Sequence, residues 1–332
     1  MKKIFIIAEA GINHNGNFDL AIKLINQAKI SGADAVKFQT AVPKLVVTNS
    51  AKMAKYQVKN TGKNISQLEM IKKISLPLSD FKRLKKYCDK VGIVFLSTPF
   101  DHKSIIELAR IGMKYFKIPS GEITNLPYLR HVAKIAKKII LSTGMSTMRE
   151  VKNAVHVLYE NKFNKKHLTL LHATTEYPAK MIDVNLNAML SMKKKFKVDV
   201  GYSDHTDGID VSIAAAALGA KVIEKHFTLD KNLKGPDHKA SLEPYELLQM
   251  VKSIRNIELA LGNGIKEPAR AELKNIDIVR KSIVSRCKIK KGQTFTEKNL
   301  IVKRPGNGIS PMKWDKILGS IALKDYNEDE LI

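Results

Sequence analysis

The sequence predicts an α/β fold, a (β/α)₈ TIM barrel followed by a small C-terminal domain. Short apolar runs alternate with stretches of helical spacing along about the first 230 residues, which is typical of a parallel sheet. There are eight such runs, the number that a closed barrel of roughly 260 residues requires. A doubly wound sheet would carry a Gly-rich G-x-G-x-x-G turn after its first strand, and this sequence lacks that turn.

The eight predicted strands are apolar runs followed by polar residues. They span residues 4–8, 35–38, 93–96, 115–118, 139–141, 168–171, 198–201 and 222–224. Helical spacing is clearest between the first two runs, at Leu24, Ile25 and Ala28, and before the last run, at Ala214 and Ala217. The barrel domain is predicted over residues 1–262.

A linker is predicted over residues 263–278, because this stretch holds glycine, proline and charges with little apolar pattern. Residues 279–332 are predicted to form the second domain, with turns at pairs such as Lys291-Gly292 and Asn307-Gly308. So small a module has a weak core, and it would gain stability by packing on the barrel or on a second subunit.

Composition limits the class of protein. The net charge of +25 raises the question of nucleic acid. The lysines, however, are scattered over helix-like segments without a nucleic-acid-binding motif, which favours a solvated surface that also attracts an anionic substrate. Cys88 and Cys287 match neither a disulfide framework nor a zinc pattern. With no apolar run near the roughly 18 residues of a membrane span, we expect a cytoplasmic protein that binds neither nucleic acid nor membrane.

Polar residues follow every predicted strand, and in a barrel the active site lies at the carboxyl ends of the strands. They are Glu9; Lys37 and Gln39; Ser97 and Thr98; Lys117 and Ser120; Ser142 and Thr143; His172, Thr175 and Tyr177; Ser203, Asp204 and His205; and Glu224 and His226. Two lysines and several hydroxyls at one mouth suit a small, highly charged anion such as a phosphorylated metabolite. The alternative for Lys37 is a lysine that extends from a strand end to solvent.

His205 and His226 occupy equivalent positions after successive strands. Two imidazoles, completed by oxygen ligands or waters, suit Mn²⁺, Co²⁺ or another divalent ion better than structural zinc. Asp204, Glu224 and Asp237 are candidates for contacts around the metal or with the substrate.

Glu9 ends a hydrophobic strand, a setting that can shift its pKa towards general acid–base catalysis. The alternative is a buried ion pair with Lys37 or Lys117, and both interpretations stay open. His14, in the loop after Glu9, is interpreted as a residue that shapes the turn rather than as a third metal ligand.

Taken together, these residues resemble the sialic acid synthase family. The matching segments follow the expected order along nearly the whole chain: residues 8–16, 36–40, 96–100, 117–122, 141–145, 201–206, 224–230, 235–238 and 303–308. The resemblance implies a barrel followed by an antifreeze-like (SAF) domain, in a domain-swapped homodimer where each small domain covers the partner's active site. It also implies a transferase that condenses phosphoenolpyruvate with an N-acylated mannose-type sugar and releases phosphate.

Residue by residue, the resemblance assigns a metal, usually manganese with Mg²⁺ or Co²⁺ as alternatives, to His205 and His226. Glu9 is then the best candidate for the catalytic base. Phosphoenolpyruvate would contact Lys37, Thr98, Lys117, Ser120, Ser142 and Ser203. The sugar would contact Gln39, Thr175, Tyr177, Asp237 and Arg304 of the partner subunit.

The sequence departs from some family members at Thr175, where they carry asparagine next to the sugar. N-acetylmannosamine and its 2,4-diacetamido-trideoxy analogue therefore both stay open as acceptors. The overall resemblance favours the latter, which would give N,N'-diacetyllegionaminate rather than N-acetylneuraminate. The alternative functions are another phosphoenolpyruvate-dependent aldol-type synthase and a carbohydrate-binding protein that uses the antifreeze-like domain.

Overall fold

A computed structural model describes residues 3–62 and 65–332, and it divides the chain into two units, Met1–Gly262 and Asn263–Ile332. The helices in these ranges include none with the length and apolar content that a membrane crossing needs.

The first unit is built around a parallel sheet, which has eight strands within the described residues. They are β1 Phe5–Gly11, β2 Ala35–Thr40, β3 Val94–Pro99, β4 Tyr115–Ile118, β5 Lys138–Ser142, β6 Leu168–Ala173, β7 Asp199–Asp204 and β8 Val222–His226. The strands pair in the order β3-β2-β1-β8-β7-β6-β5-β4, and β3 and β4 at its two ends lie next to each other. The sheet therefore forms the predicted TIM barrel, and each of the eight apolar runs is one of its strands.

Helices connect the strands, and most of them cover the outside of the barrel. They are α1 Phe18–Ile30, α2 Pro43–Val46, α3 Lys55–Thr61, α4 Gln67–Ile74, α5 Leu78–Val91, α6 His102–Arg110, α7 Leu126–Ile135, α8 Met148–Glu160, α9 Asn187–Phe196, α10 Asp210–Ala217 and α11 Pro244–Ala260. Several begin at a side-chain cap: Asn17 accepts from the backbone N–H of Leu20 before α1, and Thr147 forms a capping box with Glu150 before α8.

The barrel interior has an apolar floor below a polar layer. One buried cluster takes a single residue from each of six strands: Ile7, Ala35, Leu96, Ile140, Leu171 and Val222. Side chains alternate along a strand, so residues two positions further on face the same interior, nearer the carboxyl ends. These are Glu9, Lys37, Thr98, Ser142 and Glu224. The fold therefore requires the polar residues after these strands to meet in one place.

The connection between β2 and α5 is long, and it contains α2, α3 and α4. The sequence analysis did not predict these three helices. They are short, so each offers too few turns for a periodic pattern to stand out.

The second unit contains α12 Arg270–Val279, an antiparallel pair of β9 Ser282–Ser285 and β10 Leu300–Lys303, and α13 Trp314–Ile317. Its core is small and consists of Ile283, Ile289, Phe295, Leu300, Ala322 and Tyr326, with partly buried side chains around it. Helix α12 occupies most of the stretch predicted as a linker. It was not expected, because the glycine, proline and charges of this stretch indicated a linker; α12 carries apolar residues such as Leu273 and Ile276, but none of its residues is buried.

Gly201 of β7 should be indispensable to the barrel. A Cβ at this position would collide with the carbonyl oxygen of Val222 and the side chain of Leu171. We expect Gly201→Ala to lower the free energy of unfolding by roughly 1–3 kcal/mol or more, because the Val222 backbone and the Leu171 side chain cannot move away without strain. Thermal denaturation measures this, with Gly121→Ala as the control because a Cβ there would meet open space. Equal melting temperatures for the two variants would contradict the argument.

Candidate active site

A cavity of about 300 Å³ opens at the carboxyl ends of the barrel strands. It brings together every residue of the first unit to which the family resemblance assigns a role. Its lining includes Glu9, Lys37, Gln39, Thr98, Lys117, Ser120, Ser142, Thr175, Tyr177, Ser203, His205, His226 and Asp237, together with Glu224, whose role the sequence left open. Arg304 lies in the second unit, where its Nε donates a hydrogen bond to the carbonyl oxygen of Val279.

Four charged side chains meet at the bottom of this cavity. Lys37 Nζ lies 2.8 Å from Glu9 Oε2 and 3.7 Å from Glu224 Oε2, and Lys117 Nζ lies 3.2 Å from Glu224 Oε1. Each of the four side chains is at most 5% exposed. The buried ion pair that was one interpretation of Glu9 is therefore present, with Lys37 as its partner. The interpretation of Lys37 as a lysine extending to solvent was wrong.

The two carboxylates differ in how readily they ionise. Burial raises the pKa of Glu9 to about 7, although Lys37 opposes this shift. Burial acts on Glu224 in the same direction, but Lys117 and Lys37 outweigh it and lower the pKa of Glu224 to about 2. Glu224 is therefore a fixed negative charge at neutral pH. Glu9 lies close to the pH at which it gains or loses a proton, which suits a group that transfers protons.

His205 and His226 face each other across the cavity, with ring centroids 5.5 Å apart. His205 Nδ1 lies 2.6 Å from the carbonyl oxygen of Thr174, which can only accept, so Nδ1 carries the proton and Nε2 keeps its lone pair. Burial lowers the pKa of His205 to about 4. Burial, with His205 and Lys37 nearby, lowers the pKa of His226 well below its usual value. Both imidazoles are therefore neutral, the form that binds metal.

The histidines fit a divalent ion only as part of its ligand set. Among the described residues, no group of three or more His, Cys, Asp and Glu side chains is close enough to hold an ion. Asp237 lies beside the pair, with Oδ2 4.0 Å from His226 Nδ1, and burial raises its pKa to about 6. An ion bound here would need oxygen atoms from substrate or water in addition to the two nitrogens.

Two hydroxyls of the cavity are buried without a hydrogen-bond partner, those of Ser142 and Thr175. Leaving such a group unpaired costs about 1–3 kcal/mol, so both suit contacts that form only when a ligand binds. Ser120 is already engaged, since its Oγ accepts from the backbone N–H of Gly144 at 2.9 Å. A Cβ on Gly144 would collide with Thr175 Oγ1 and Ser120 Oγ, so this glycine, which sequence reasoning missed, leaves room for the hydroxyls of Ser120 and Thr175.

Four polar residues that follow strands point away from the cavity, contrary to the ring of polar residues that the sequence predicted. Ser97 is paired with Thr40, Thr143 donates to the carbonyl oxygen of Leu171, His172 bonds the carbonyl oxygen of Val184, and Asp204 lies 3.1 Å from Lys225 Nζ. Ser97 and Asp204 are each one position from an inward-facing residue, so the alternation of the strand turns them towards the helices. Asp204 is therefore not a metal or substrate contact.

His14 is confirmed as a residue that shapes the turn. It is fully buried, it does not line the cavity, and its Nδ1 accepts a hydrogen bond from the backbone N–H of Gly16 at 3.1 Å. Burial lowers its pKa to about 4.

The fold and the cavity define an enzyme that acts on a small anionic substrate inside a (β/α)₈ barrel. Family models match residues 24–266 as the NeuB family and residues 280–332 as an SAF domain. The chain belongs to the NeuB family. It is a transferase, a phosphoenolpyruvate-dependent synthase of nonulosonic acids.

Known proteins resemble this chain over most of its length. The N,N'-diacetyllegionaminic acid synthase of Campylobacter jejuni is 58% identical over 332 residues, which is 100% of this chain and 99% of that one. The enzyme of the same name from Legionella pneumophila is 47% identical over 318 residues, covering 95% and 89% of the two chains. A crystal structure of N-acetylneuraminic acid synthetase from Leptospira borgpetersenii has a TM-score of 0.72 and 35% identity, covering 83% of this chain and 90% of that one.

Ser142 offers a test of the anion site. Because its hydroxyl has no partner in the free protein, Ser142→Ala should leave the melting temperature unchanged or slightly raised. The same change should raise KM for phosphoenolpyruvate about tenfold, since it removes a hydrogen bond of the bound state worth about 1.5 kcal/mol.

Ser97→Ala is the matched control, because that hydroxyl is buried but paired with Thr40 outside the cavity. It should lower the melting temperature and leave KM unchanged. An unchanged KM in Ser142→Ala would exclude Ser142 from the anion site.

Proposed function

We propose that the chain condenses phosphoenolpyruvate with 2,4-diacetamido-2,4,6-trideoxymannose to give N,N'-diacetyllegionaminate and phosphate. The observation that carries the choice of product is the 58% identity with the Campylobacter jejuni N,N'-diacetyllegionaminic acid synthase over both whole chains. N-acetylmannosamine, which would give N-acetylneuraminate, is the alternative acceptor, because relatives that make N-acetylneuraminic acid share the same barrel.

In this proposal phosphoenolpyruvate binds at the two lysines. Lys37 and Lys117 both lie within 4 Å of Glu224, so their ammonium groups converge on one region of the cavity. Hydroxyls surround that region and would donate to phosphate or carboxylate oxygens. They belong to Thr98, Ser120, Ser142 and Ser203. Lys37 already donates to Thr98 Oγ1 at 2.9 Å, which holds the ammonium group in position.

His205 and His226 would hold the metal, for which we expect Mn²⁺, with Mg²⁺ and Co²⁺ as alternatives. The neutral rings and the free lone pair on His205 Nε2 support this assignment. When bound, the ion supplies Lewis-acid polarisation of the aldehyde oxygen of the open-chain sugar. Tyr177 covers the pair, with its ring centroid 4.2 Å from that of His205, and would keep the sugar against them together with Gln39, Thr175 and Asp237.

The residues of the chain then direct two bond-forming steps and one bond-breaking step. C3 of phosphoenolpyruvate attacks the sugar aldehyde carbon, and C2 becomes electron-poor. The carboxylates of Glu9 and Glu224, on the floor of the cavity, stabilise that positive charge. Water adds at C2 and Glu9 takes one of its protons, which passes to the former aldehyde oxygen and makes it a hydroxyl. The tetrahedral carbon then breaks its bond to phosphate and becomes the 2-keto group, and the proton of its hydroxyl leaves with the phosphate. Lys37 and Lys117 balance the charge that the leaving phosphate carries away.

We further propose a cytoplasmic, domain-swapped homodimer in which Arg304 of the partner subunit contacts the sugar. Arg304 is exposed on the SAF domain, and its guanidinium could pair with a sugar carbonyl or hydroxyl. Size-exclusion chromatography with light scattering tests the assembly. Mixing Arg304→Ala with His205→Ala chains tests the exchange, since a swapped heterodimer restores one intact site.

The purified protein should release phosphate only when phosphoenolpyruvate, Mn²⁺ and a mannose-type acceptor are all present. Incubation with each candidate sugar, followed by phosphate measurement and mass spectrometry of the product, identifies the acceptor. A protein that binds either sugar without releasing phosphate would contradict the proposed function.

Chelator treatment should abolish phosphate release, and added Mn²⁺ should restore it. In His205→Ala and His226→Ala we expect at least a hundredfold loss of kcat and a loss of Mn²⁺ binding by calorimetry, because each variant removes a neutral imidazole from the site. His167→Ala, an exposed histidine on the barrel surface, is the control and should behave as the wild type. Full activity after chelation would disprove the metal assignment.

A further inference from the structure

The two sides of the cavity differ in chemical character. The charged groups all come from the strand ends and the loop after β8, whereas the segment between β2 and α5 contributes mostly aliphatic side chains, together with the uncharged polar residues Gln57, Gln67 and Ser75. We call its larger aliphatic side chains the aliphatic wall; they are Val46, Val47, Met70, Ile71 and Ile74. None of the described lining residues from that segment carries a charge.

Helix α4 builds most of this wall because of its sequence pattern. Gln67, Met70, Ile71 and Ile74 line the cavity, and their spacing of three, four and seven residues places them on one face of the helix. Lys72 lies on the opposite, exposed face. Ser66 caps the helix by accepting from the backbone N–H of Glu69 at 3.2 Å, which fixes where that face begins.

The wall residues are available to a ligand. Within the part of the chain that the structure describes, neither Ile71 nor Ile74 packs against the core between the sheet and the helices. Both are only half-buried, and their open side is the cavity. A ligand that covers such side chains removes their apolar surface from water, which favours binding.

Of the two substrates, phosphoenolpyruvate cannot be the one that covers the wall. Its phosphate and carboxylate require Lys37 and Lys117, on the charged side of the cavity. The sugar is therefore left beside the wall. A hydroxyl pressed against aliphatic carbon loses its hydrogen bonds to water without replacement, whereas a methyl group gains by leaving water.

We propose that the aliphatic wall selects the acceptor. It favours a mannose-type sugar in which methyl-bearing groups, the C4 acetamido group and the C6 methyl, replace the C4 and C6 hydroxyls, and it disfavours N-acetylmannosamine, which carries both hydroxyls. This inference rests on the proposed function, because it assumes that phosphoenolpyruvate and a mannose-type sugar share the cavity. Apolar pockets discriminate against an added hydroxyl by about 100-fold at most, so the wild type should prefer the deoxy sugar in kcat/KM by about 10- to 100-fold.

The test is the ratio of kcat/KM for the two sugars, measured by phosphate release in the wild type and in Ile71→Thr. Threonine keeps the branched side chain and places a hydroxyl in the wall, so the ratio should fall about tenfold towards N-acetylmannosamine. KM for phosphoenolpyruvate should not change. Lys72→Thr, on the other face of α4, is the matched control and should keep the wild-type ratio.

Val47→Thr, a substitution of nearly equal volume at a separate part of the wall, should shift the ratio in the same direction. This variant takes the place of Ile71→Thr in the test if Ile71→Thr does not fold, as judged by circular dichroism and thermal denaturation. A folded variant at either position with the wild-type ratio would show that the wall does not contact the sugar. A wild type that prefers N-acetylmannosamine would also overturn the inference, while the synthase reaction itself would stand. Phosphate release with neither sugar would instead overturn the proposed function.

Discussion

The site depends on keeping four buried charges neutral as a group. Lys37 and Lys117 face Glu9 and Glu224 inside the barrel, where an unpaired charge would be too costly to keep. The apolar floor below them excludes water, so each charge relies on the opposite charges and on the neighbouring hydroxyls. An entering anion upsets this balance. Because burial has raised the pKa of Glu9 to about 7, this carboxyl is the member of the group that can exchange a proton near neutral pH.

The barrel and most of the candidate site could be predicted because two physical rules act on short sequence patterns. Parallel strands are buried on both faces, so they appear as short apolar runs, and all eight were found in this way. Their carboxyl ends meet at one rim, which places residues as distant in sequence as Glu9 and His226 in the same cavity. The predictions for Ser97 and Asp204 were wrong because every polar residue near a strand end was assumed to face the cavity. The alternation of side chains, counted from Leu96 along β3 and from Ser203 along β7, turns both outwards.

Other features could not be predicted because they depend on where a segment lies in the folded chain, which its own sequence does not show. Gly144 gives no local sign that a Cβ would strike Thr175, which lies on another strand's loop. Helix α4 has its pattern in the sequence at Met70, Ile71 and Ile74, but an apolar face of this kind ordinarily indicates a helix packed on the core. Only the coordinates show that this face is turned to a cavity. Helix α12 was missed because its few apolar residues, such as Leu273 and Ile276, follow a stretch of glycine, proline and charge that indicated a linker.

Two consecutive residues of the loop after β6 make different contacts in the site. The carbonyl oxygen of Thr174 holds the proton on His205 Nδ1, and the hydroxyl of Thr175 points unpaired into the cavity. A larger side chain at 175 would therefore act on the backbone next to the carbonyl group that orients the His205 ring. A substitution there that alters the shape of the cavity also acts on the histidine pair. The aliphatic wall comes from a different segment of the chain, so substitutions in it leave the Thr174 carbonyl in place.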